Sequence, residues 1–225
     1  HNKAASGPRI VERILAGETC ALVSDAGSPA ISDPGEDLVR LCAEAGVTVS
    51  AIPGPCAAIT ALSMSGLPTG RFTFEGFLST TKKNRAQHLD SLRAEQRTMI
   101  FYEAPHKLCA TLRDLAAAFG GERRISLCRE LTKLHEEVLR LTLDGAVAYY
   151  ETQPPRGEYV LIVEGAPKQQ ESGPVSEEEA LMRVQALLAE GLSRKDAVRQ
   201  VAAETGLAKN QLYDAALRAQ HTETE

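Results

Sequence analysis

Short strand-like runs alternate with helical patterns over residues 1–70. The runs 21–23 and 47–52 consist of small, apolar and β-branched residues, and a turn-rich segment and then a helical pattern follow each of them. A strand of a parallel sheet has this character because helices cover both faces of such a sheet. The pattern therefore predicts an N-terminal α/β domain over residues 1–70.

A cluster of glycine and proline at 66–70 separates this domain from a second α/β pattern over residues 71–166. The strands predicted here are 72–74, 98–102, 124–128, 137–143 and 159–163, and the helices are about 82–95, 106–119 and 145–151. No helix lies between the strands at 124–128 and 137–143, so we expect these two to pair antiparallel. The second domain is therefore predicted to contain a mixed sheet.

Three short helical patterns follow a polar linker at 167–175. Ser176 precedes Glu179 by three residues, which is the signature of a capping box at a helix start. Ser193 starts a second helix, and a third is predicted over 209–219. This helical tail, residues 176–221, forms the third predicted unit of the chain.

The last two helices of the tail, joined around Gly206, are typical of a helix-turn-helix. The final helix, however, carries only Lys209 and Arg218 as basic residues. Phosphate affinity needs several cations, so we expect no DNA binding from the tail.

Two turns rich in small residues follow the strands predicted for the first domain. Loop A (residues 24–35) has the sequence S-D-A-G-S-P-A-I-S-D-P-G, and loop B (residues 53–58) has the sequence P-G-P-C-A-A. Ligands of α/β proteins bind at the carboxyl ends of strands, so these loops predict a shared binding crevice. Neither matches the glycine pattern of a dinucleotide or P-loop site. Ordinary strand-to-helix turns also collect these residues, and one such loop alone would favour that simpler interpretation.

A dense cluster of titratable side chains follows the strand at 124–128. Loop C (residues 129–136) has the sequence R-E-L-T-K-L-H-E, and Gly157 with Glu158 precedes the last strand. Carboxylate, imidazole and ammonium groups held close together can transfer protons and clamp a substrate. Ion pairs at strand ends also occur for structural reasons, so both interpretations stay open at this point.

Composition and charge narrow the set of partners. The net charge is −5, and the densest basic cluster of the middle segment is Lys82, Lys83 and Arg85, so a nucleic acid would have to approach there. Five cysteines without C-x-x-C spacing argue against a disulfide framework or a zinc site, and no metal is expected. No membrane-length apolar stretch or signal peptide is visible, which predicts a cytoplasmic protein without a membrane partner.

Five motifs of the chain resemble those of a known family. In chain order they are S-D-A-G-S-P-x-I-S-D-P-G, I-P-G-P-C-A-A-x-x-A-L-x-x-S-G-L-P, F-Y-E-A-P-H-K, C-R-E-L-T-K-x-H-E-E and G-E-Y-V-L-I-V-E-G. The series closely resembles the ribosomal RNA small subunit methyltransferase I family, which methylates cytidine 2′-hydroxyls of 16S rRNA and belongs to the tetrapyrrole methylase superfamily. The resemblance covers Pro8 to Gly165. The family opens with a strand and a P-T-P-I-G-N loop that are not found here, so an N-terminal piece before His1 is expected to be missing.

The resemblance implies two α/β domains of the tetrapyrrole methylase (class III methyltransferase) type with a small helical C-terminal extension. It also implies S-adenosylmethionine bound between the two domains, a homodimer, and 16S rRNA or the small ribosomal subunit as substrate. The positions implied to line the cofactor are Gly27, Ser28, Pro29, Ile31, Ala57 and Ala58. The superfamily has an aspartate where this chain has Ser28, and Asp25 is a candidate to supply the missing charge. We expect Tyr102 to complete the cofactor site because it also lies at a predicted strand end.

The chemistry of methyl transfer sets the remaining expectations. The sulfonium is already activated, so the protein must mainly align the ribose hydroxyl with the methyl group, which can supply about 7–11 kcal/mol. A positioned base adds less, about 3–5 kcal/mol. The candidate bases are Glu130 and His135, and Arg129 and Lys133 are candidate phosphate ligands.

Two other functions compete with RNA methylation. One is methylation of a tetrapyrrole carbon by an enzyme of the same fold, which activity on a porphyrinoid rather than on ribosomal subunits would reveal. The other is a non-enzymatic regulator that senses a ligand and binds DNA through the tail. That second reading requires a more basic tail than the acidic one present here.

Overall fold

A computed structural model describes residues 3–167 and 176–222, and the chain divides into two compact units, 1–166 and 167–225. The helices are α1 Lys3–Leu15, α2 Glu36–Glu44, α3 Ala57–Ser65, α4 Lys82–Ser91, α5 Pro105–Phe119, α6 Leu143–Thr152, α7 Glu177–Ala189, α8 Arg194–Thr205 and α9 Lys209–Thr222. The strands are β1 Phe72–Phe77, β2 Thr98–Glu103, β3 Arg124–Arg129, β4 Glu137–Thr142 and β5 Tyr159–Val163.

One mixed sheet organises the first unit. Its strand order is β1-β2-β5-β3-β4, with β1 parallel to β2 and the remaining neighbours antiparallel. The antiparallel pairing predicted for β3 and β4 is confirmed. The strand predicted at 159–163 is also confirmed at both ends.

Apolar clusters cover both faces of this sheet. Met99, Phe101 and Leu127 face the larger cluster, which includes residues of α4, α5 and α6. Ile100 and Ile162 face the other way, towards a smaller cluster with Ala61 and other residues of α3. The sheet therefore lies between two helical layers, and α3 is the helix that packs on the second face.

The two strands predicted for the N-terminal domain are wrong. Residues 21–23 and 47–52 are irregular, and every strand of the described sheet comes from residues 72–163. A strand needs a neighbour to pair with its backbone N–H and C=O groups, whatever its apolar content. Among the described residues neither run has one, and Val23 and Ile52 are 80% and 91% exposed.

The domain boundary predicted near residue 70 stays a prediction. Helix α3 precedes that boundary, but its buried face packs against β2, β3 and β5, which follow it. Residues of α3, β2, β3 and β5 thus share one apolar core on this side of the sheet.

The helical tail forms a unit with a core of its own. The hydroxyl of Ser176 accepts a hydrogen bond from the Glu179 N–H, and that of Ser193 accepts one from Asp196, so both predicted helix starts are confirmed. Ala180, Val184, Val198 and other apolar residues of α7, α8 and α9 pack together. Residues 168–175 of the predicted linker lie outside the described residues.

Candidate functional site

Strand ends from across the sheet meet at one edge, which we call the site edge. The strand register aligns Phe77 with Tyr102, and Tyr102 with Val160. It continues from Val160 to Cys128 and from there to Val138. The site edge therefore consists of the carboxyl ends of β1, β2 and β3 and the amino ends of β4 and β5. Loop C, which joins β3 to β4, lies at the same edge.

Loops A and B contact each other directly. The backbone N–H of Ser28 donates to the carbonyl oxygen of Pro55 over 2.9 Å, and the Ser28 hydroxyl lies 3.4 Å from the same oxygen. Gly27 has a φ of +76°, and a Cβ there would lie only 3.0 Å from Pro55 O. Only glycine combines this left-handed backbone with so close an approach, so the sequence of loop A suits its contact with loop B.

Tyr102 joins loop B to the site edge. Its hydroxyl accepts a hydrogen bond from the Ala58 N–H at the start of α3, over 3.2 Å. Burial raises the pKa of this phenol, so the ring stays neutral at physiological pH. The ring also packs against the smaller apolar cluster, as does Leu131 of loop C.

The residues predicted to line the cofactor differ in their accessibility. Ala58 is 4% exposed and packs in the smaller apolar cluster. By contrast, Ala57, Asp25 and Ile31 are exposed, whereas Ser28 and Pro29 are partly buried. Ala57 is therefore the loop B alanine whose methyl group is accessible to a ligand, while Ala58 contributes packing and an N–H bonded to Tyr102.

Unusual backbone conformations concentrate in loops A and C. Among the described residues, the non-glycine residues with positive φ are Ala30, Ser32, Glu130 and Thr132. Such conformations are unfavourable for a residue with a Cβ and are enriched at functional sites, where the surroundings hold them in place. Two of these residues belong to loop A and two to loop C, both of which the sequence singles out.

Three charged side chains hold loop C against the segment before β5. Glu130 Oε1 accepts hydrogen bonds from the Glu158 N–H, over 2.9 Å, and from Lys133 Nζ, over 3.0 Å. The ammonium of Lys133 also lies 2.9 Å from Glu158 Oε2, and the Glu130 N–H donates to the Glu158 carbonyl oxygen over 3.1 Å. We call this arrangement of Glu130, Lys133 and Glu158 the loop C latch.

The latch changes how its members can react. The hydrogen bond from Glu158 N–H, followed by that from Lys133, lowers the pKa of the Glu130 carboxyl. The carboxylates of Glu158 and Glu130 raise the pKa of Lys133 in turn. Glu130 is therefore a weaker proton acceptor than an isolated glutamate, and the charge of Lys133 is already balanced.

The other predicted residues of loop C have different surroundings. Arg129 Nε lies 3.2 Å from Glu137 Oε2, an ion pair whose alignment does not make it a hydrogen bond. His135 is exposed, and the neighbouring Leu134 is 94% exposed. Of the two predicted bases, His135 is the one that solvent reaches freely.

Arg156 is a further cation at the site edge, outside the motifs that the sequence singles out. It lies in the turn before β5, at the site edge, and its side chain is exposed. The sequence feature that could have indicated it is a cation within the turn Pro-Pro-Arg-Gly that ends at Gly157. Its exposure makes Arg156 a candidate phosphate ligand alongside the paired cations of loop C.

The basic cluster predicted at Lys82, Lys83 and Arg85 is only partly present. Arg85 is 14% exposed on its side chain, lies 2.5 Å from Asp114 Oδ2, and donates to Thr111 Oγ1 over 2.8 Å. Arg85 is close to the two lysines in the sequence, but its side chain lies against α5. Arg85 therefore stabilises the packing of α4 on α5, and only the two lysines are exposed.

Neither a metal centre nor a membrane-spanning helix is found among the described residues. No group of three or more His, Cys, Asp or Glu side chains there is arranged to hold a metal ion. No described helix is both long enough and apolar enough to cross a membrane.

Comparisons with known proteins identify relatives over both units. Residues 1–147 match the family described as tetrapyrrole (corrin/porphyrin) methylases, and residues 175–220 match the RsmI C-terminal HTH domain. The chain is 48% identical to ribosomal RNA small subunit methyltransferase I of Synechocystis over 96% of this chain and 77% of that protein. It is 44% identical to the protein of the same name from Escherichia coli O157:H7 over 98% of this chain and 76% of that protein.

Solved structures with low sequence identity share the fold of the first unit. The methyltransferase CobJ matches with a TM-score of 0.56 at 19% identity, over 73% of this chain and 72% of its own. Diphthine synthase matches with a TM-score of 0.52 at 16% identity, over 73% of this chain and 66% of its own. At these low sequence identities, the similarities show a common fold and nothing more.

Proposed function

Because the chain belongs to the ribosomal RNA small subunit methyltransferase I family, we propose that it transfers the methyl group of S-adenosylmethionine to the 2′-hydroxyl of a cytidine in 16S rRNA. The observation that carries the proposal is identity of 40–48% to relatives of this name over nearly the whole chain. The substrate is 16S rRNA or the small ribosomal subunit, which also implies a cytoplasmic location. A homodimer is part of the proposal as well.

We place the cofactor between loops A and B, beside Tyr102. Loop A meets loop B at Ser28 and Pro55, and the exposed residues Asp25, Ile31 and Ala57 lie within three residues of this contact in the sequence. The adenine, ribose and amino-acid parts of S-adenosylmethionine need closely approached backbone groups, which small residues permit. Gly27 and Pro29 shape loop A at this point, and Ala58 anchors loop B through Tyr102.

The reaction is a direct displacement. The ribose 2′-oxygen forms a bond to the methyl carbon while the carbon–sulfur bond breaks, and S-adenosylhomocysteine leaves with the electron pair. The hydroxyl proton passes to a base. We assign this role to His135, since Glu130 already accepts two hydrogen bonds in the loop C latch. Glu130 then acts as a positioning residue for loop C.

Phosphate contacts in this proposal involve Arg156 together with the predicted ligands Arg129 and Lys133. Arg129 and Lys133 are compensated by Glu137 and by the latch carboxylates, so a phosphate would have to compete for them. Arg156 is exposed at the same edge. RNA binding by this surface should therefore be of modest strength and salt-dependent.

Methylation of a tetrapyrrole carbon is the less well supported alternative. The solved methyltransferase CobJ is 19% identical, which supports a common fold only. A DNA-binding regulator is favoured by the match of the tail to an HTH domain. The first unit of the chain, however, matches a methylase family, which favours an enzyme over a regulator.

The proposal is tested by methyl transfer from labelled S-adenosylmethionine to three acceptors: assembled small subunits, naked 16S rRNA and a porphyrinoid. We expect label in RNA, and in 2′-O-methylcytidine after nuclease digestion and mass spectrometry. A 2′-O-methyl group also protects the adjacent phosphodiester from alkali. Label on the porphyrinoid alone, or on a base rather than a ribose, would contradict the proposal.

Loop C should remain latched over a wide pH range. The lowered pKa of Glu130 means that its stabilising contribution is present above the unfolded carboxyl value of about 4.3 and is lost as pH falls through the folded value. The raised pKa of Lys133 means that its contribution is present below about 10.4 and is lost as pH rises through the folded value. We therefore expect constant protection of the Glu130 and Glu158 amides between about pH 6 and 9 in hydrogen exchange, after correction for intrinsic rates.

Gly157→Ala provides an independent test of the latch. Gly157 has a φ of +74°, and a Cβ there would lie 2.5 Å from Glu130 Cγ, so the substitution displaces Glu130 without removing a charge. We expect faster exchange of the Glu130 amide and a lower kcat with unchanged affinity for S-adenosylhomocysteine. Wild-type exchange and kcat in this variant would show that the latch does not position loop C.

A further inference from the structure

A bulge in β1 places two phenylalanines on the same face of the sheet. The register of β1 with β2 shifts between Phe74 and Gly76, so that Phe74 aligns with Ile100 and Phe77 with Tyr102. Residues three apart in a regular strand point to opposite faces. The extra residue, Glu75, turns instead to the opposite side, where its carboxylate lies 2.8 Å from His88 Nε2 of α4.

Both rings pack against Tyr102 and remain accessible. The Phe74 and Tyr102 ring centroids are 5.1 Å apart at 74°, and those of Phe77 and Tyr102 are 5.6 Å apart at 65°. These edge-to-face arrangements are favourable for aromatic pairs. Nevertheless, 38% of Phe74 and 58% of Phe77 are exposed.

The position of these rings relates them to the proposed site. Gly76, with a φ of +62°, follows the bulge, and a Cβ there would lie 3.8 Å from Ser32 Oγ of loop A. Tyr102 bonds to loop B through Ala58. The rings therefore lie where loop A, loop B and the site edge meet. Bulges next to active sites commonly redirect a side chain in this way.

We propose that Phe77, supported by Phe74 and Tyr102, binds a nucleobase of the RNA substrate by stacking. This inference rests on the proposed function. Every base presents a π face, and aromatic side chains recognise unpaired bases of RNA in this way. The edge position of β1 favours a base of the large substrate over the adenine of the small cofactor, since β1 is the outermost strand on this side.

The test uses Phe77→Ala, Phe77→Leu and Phe77→Trp in the full chain. Loss of a stacked base should raise KM for the ribosomal substrate about 5- to 150-fold in Phe77→Ala. Phe77→Trp should keep KM near the wild-type value. Phe77→Leu, which keeps apolar volume without a π face, should raise KM as Phe77→Ala does. Affinity for S-adenosylhomocysteine, measured by calorimetry, should stay unchanged in all three.

Phe72→Ala is the matched control. Phe72 lies on β1, aligned with Thr98 at the opposite end of the strand, and is 39% exposed. Its removal should leave KM unchanged. Thermal unfolding of each variant reports on the fold, and light scattering reports whether Phe77 instead contacts a second copy of the chain.

Several outcomes would overturn the stacking proposal. Wild-type behaviour of Phe77→Ala or of Phe77→Leu would exclude a role for the π face. A fall in cofactor affinity with unchanged KM for RNA would assign the ring to adenine, and dissociation of an oligomer would assign it to a subunit interface. If the wild type methylates no RNA, the proposed function fails. In that case, fluorescence anisotropy with a short cytidine-containing RNA still tests the stacking proposal, because Phe77→Ala should weaken binding of that RNA.

Discussion

Replacing His135 by alanine should lower kcat by about 10²- to 10⁴-fold, the usual contribution of a positioned base. His135 is exposed in loop C, whose backbone is held by the latch and by a hydrogen bond of 2.6 Å from Thr132 N–H to Glu136 Oε2. An imidazole on a constrained loop can accept the ribose proton with little reorganisation. The measurement is single-turnover methyl transfer to small ribosomal subunits at saturating S-adenosylmethionine.

Three comparisons separate a base from a structural residue. Added imidazole should restore part of the activity of His135→Ala, because a free base can occupy the vacated space. His106→Ala is the control, since His106 is also exposed but lies in the first turn of α5. Glu130→Gln keeps the hydrogen-bond acceptor and should retain more activity than His135→Ala. If Glu130→Gln loses as much activity and His135→Ala loses none, Glu130 is the base.

The sequence predicted the strands of the second half well because each has an apolar pattern and a neighbour within that half. Glu137–Thr142 and Tyr159–Val163 pair with strands that the same reasoning identified. The runs 21–23 and 47–52 have equally suitable residues but no ladder partner among the described residues. Whether such a run forms a strand depends on what lies beside it, which a local pattern does not contain.

The loops of the site could be located from sequence, but their contacts could not. Glu130 and Lys133 were recognisable within one motif, whereas Glu158, the third member of the latch, is 25 residues beyond Lys133. It reaches the latch because Arg129 aligns with Tyr159 across β3 and β5. The pairing of Arg85 with Asp114 could not be predicted either, because these two residues are also far apart in the sequence. In the motif F-T-F-E-G-F, by contrast, the isolated glycine is a recognisable signal of the β1 bulge.

Replacing Ala57 by leucine should abolish cofactor binding while preserving the fold. Ala57 is exposed at the start of α3, beside the contact between Ser28 and Pro55, where the larger side chain would enter the space proposed for S-adenosylmethionine. One misplaced methylene in a binding pocket changes affinity by about 10- to 200-fold, and leucine adds three carbons. Leucine is also a good helix former, so α3 should persist. Calorimetry with S-adenosylhomocysteine measures the loss.

Controls on the same helix make this result specific. Ser63→Leu adds a large side chain at an exposed position near the other end of α3 and should leave the affinity unchanged. Ala58→Leu should instead lower the melting temperature, because Ala58 is 4% exposed within the smaller apolar cluster and the added atoms would overpack it. Cofactor affinity at the wild-type level in Ala57→Leu would show that S-adenosylmethionine does not bind between loops A and B.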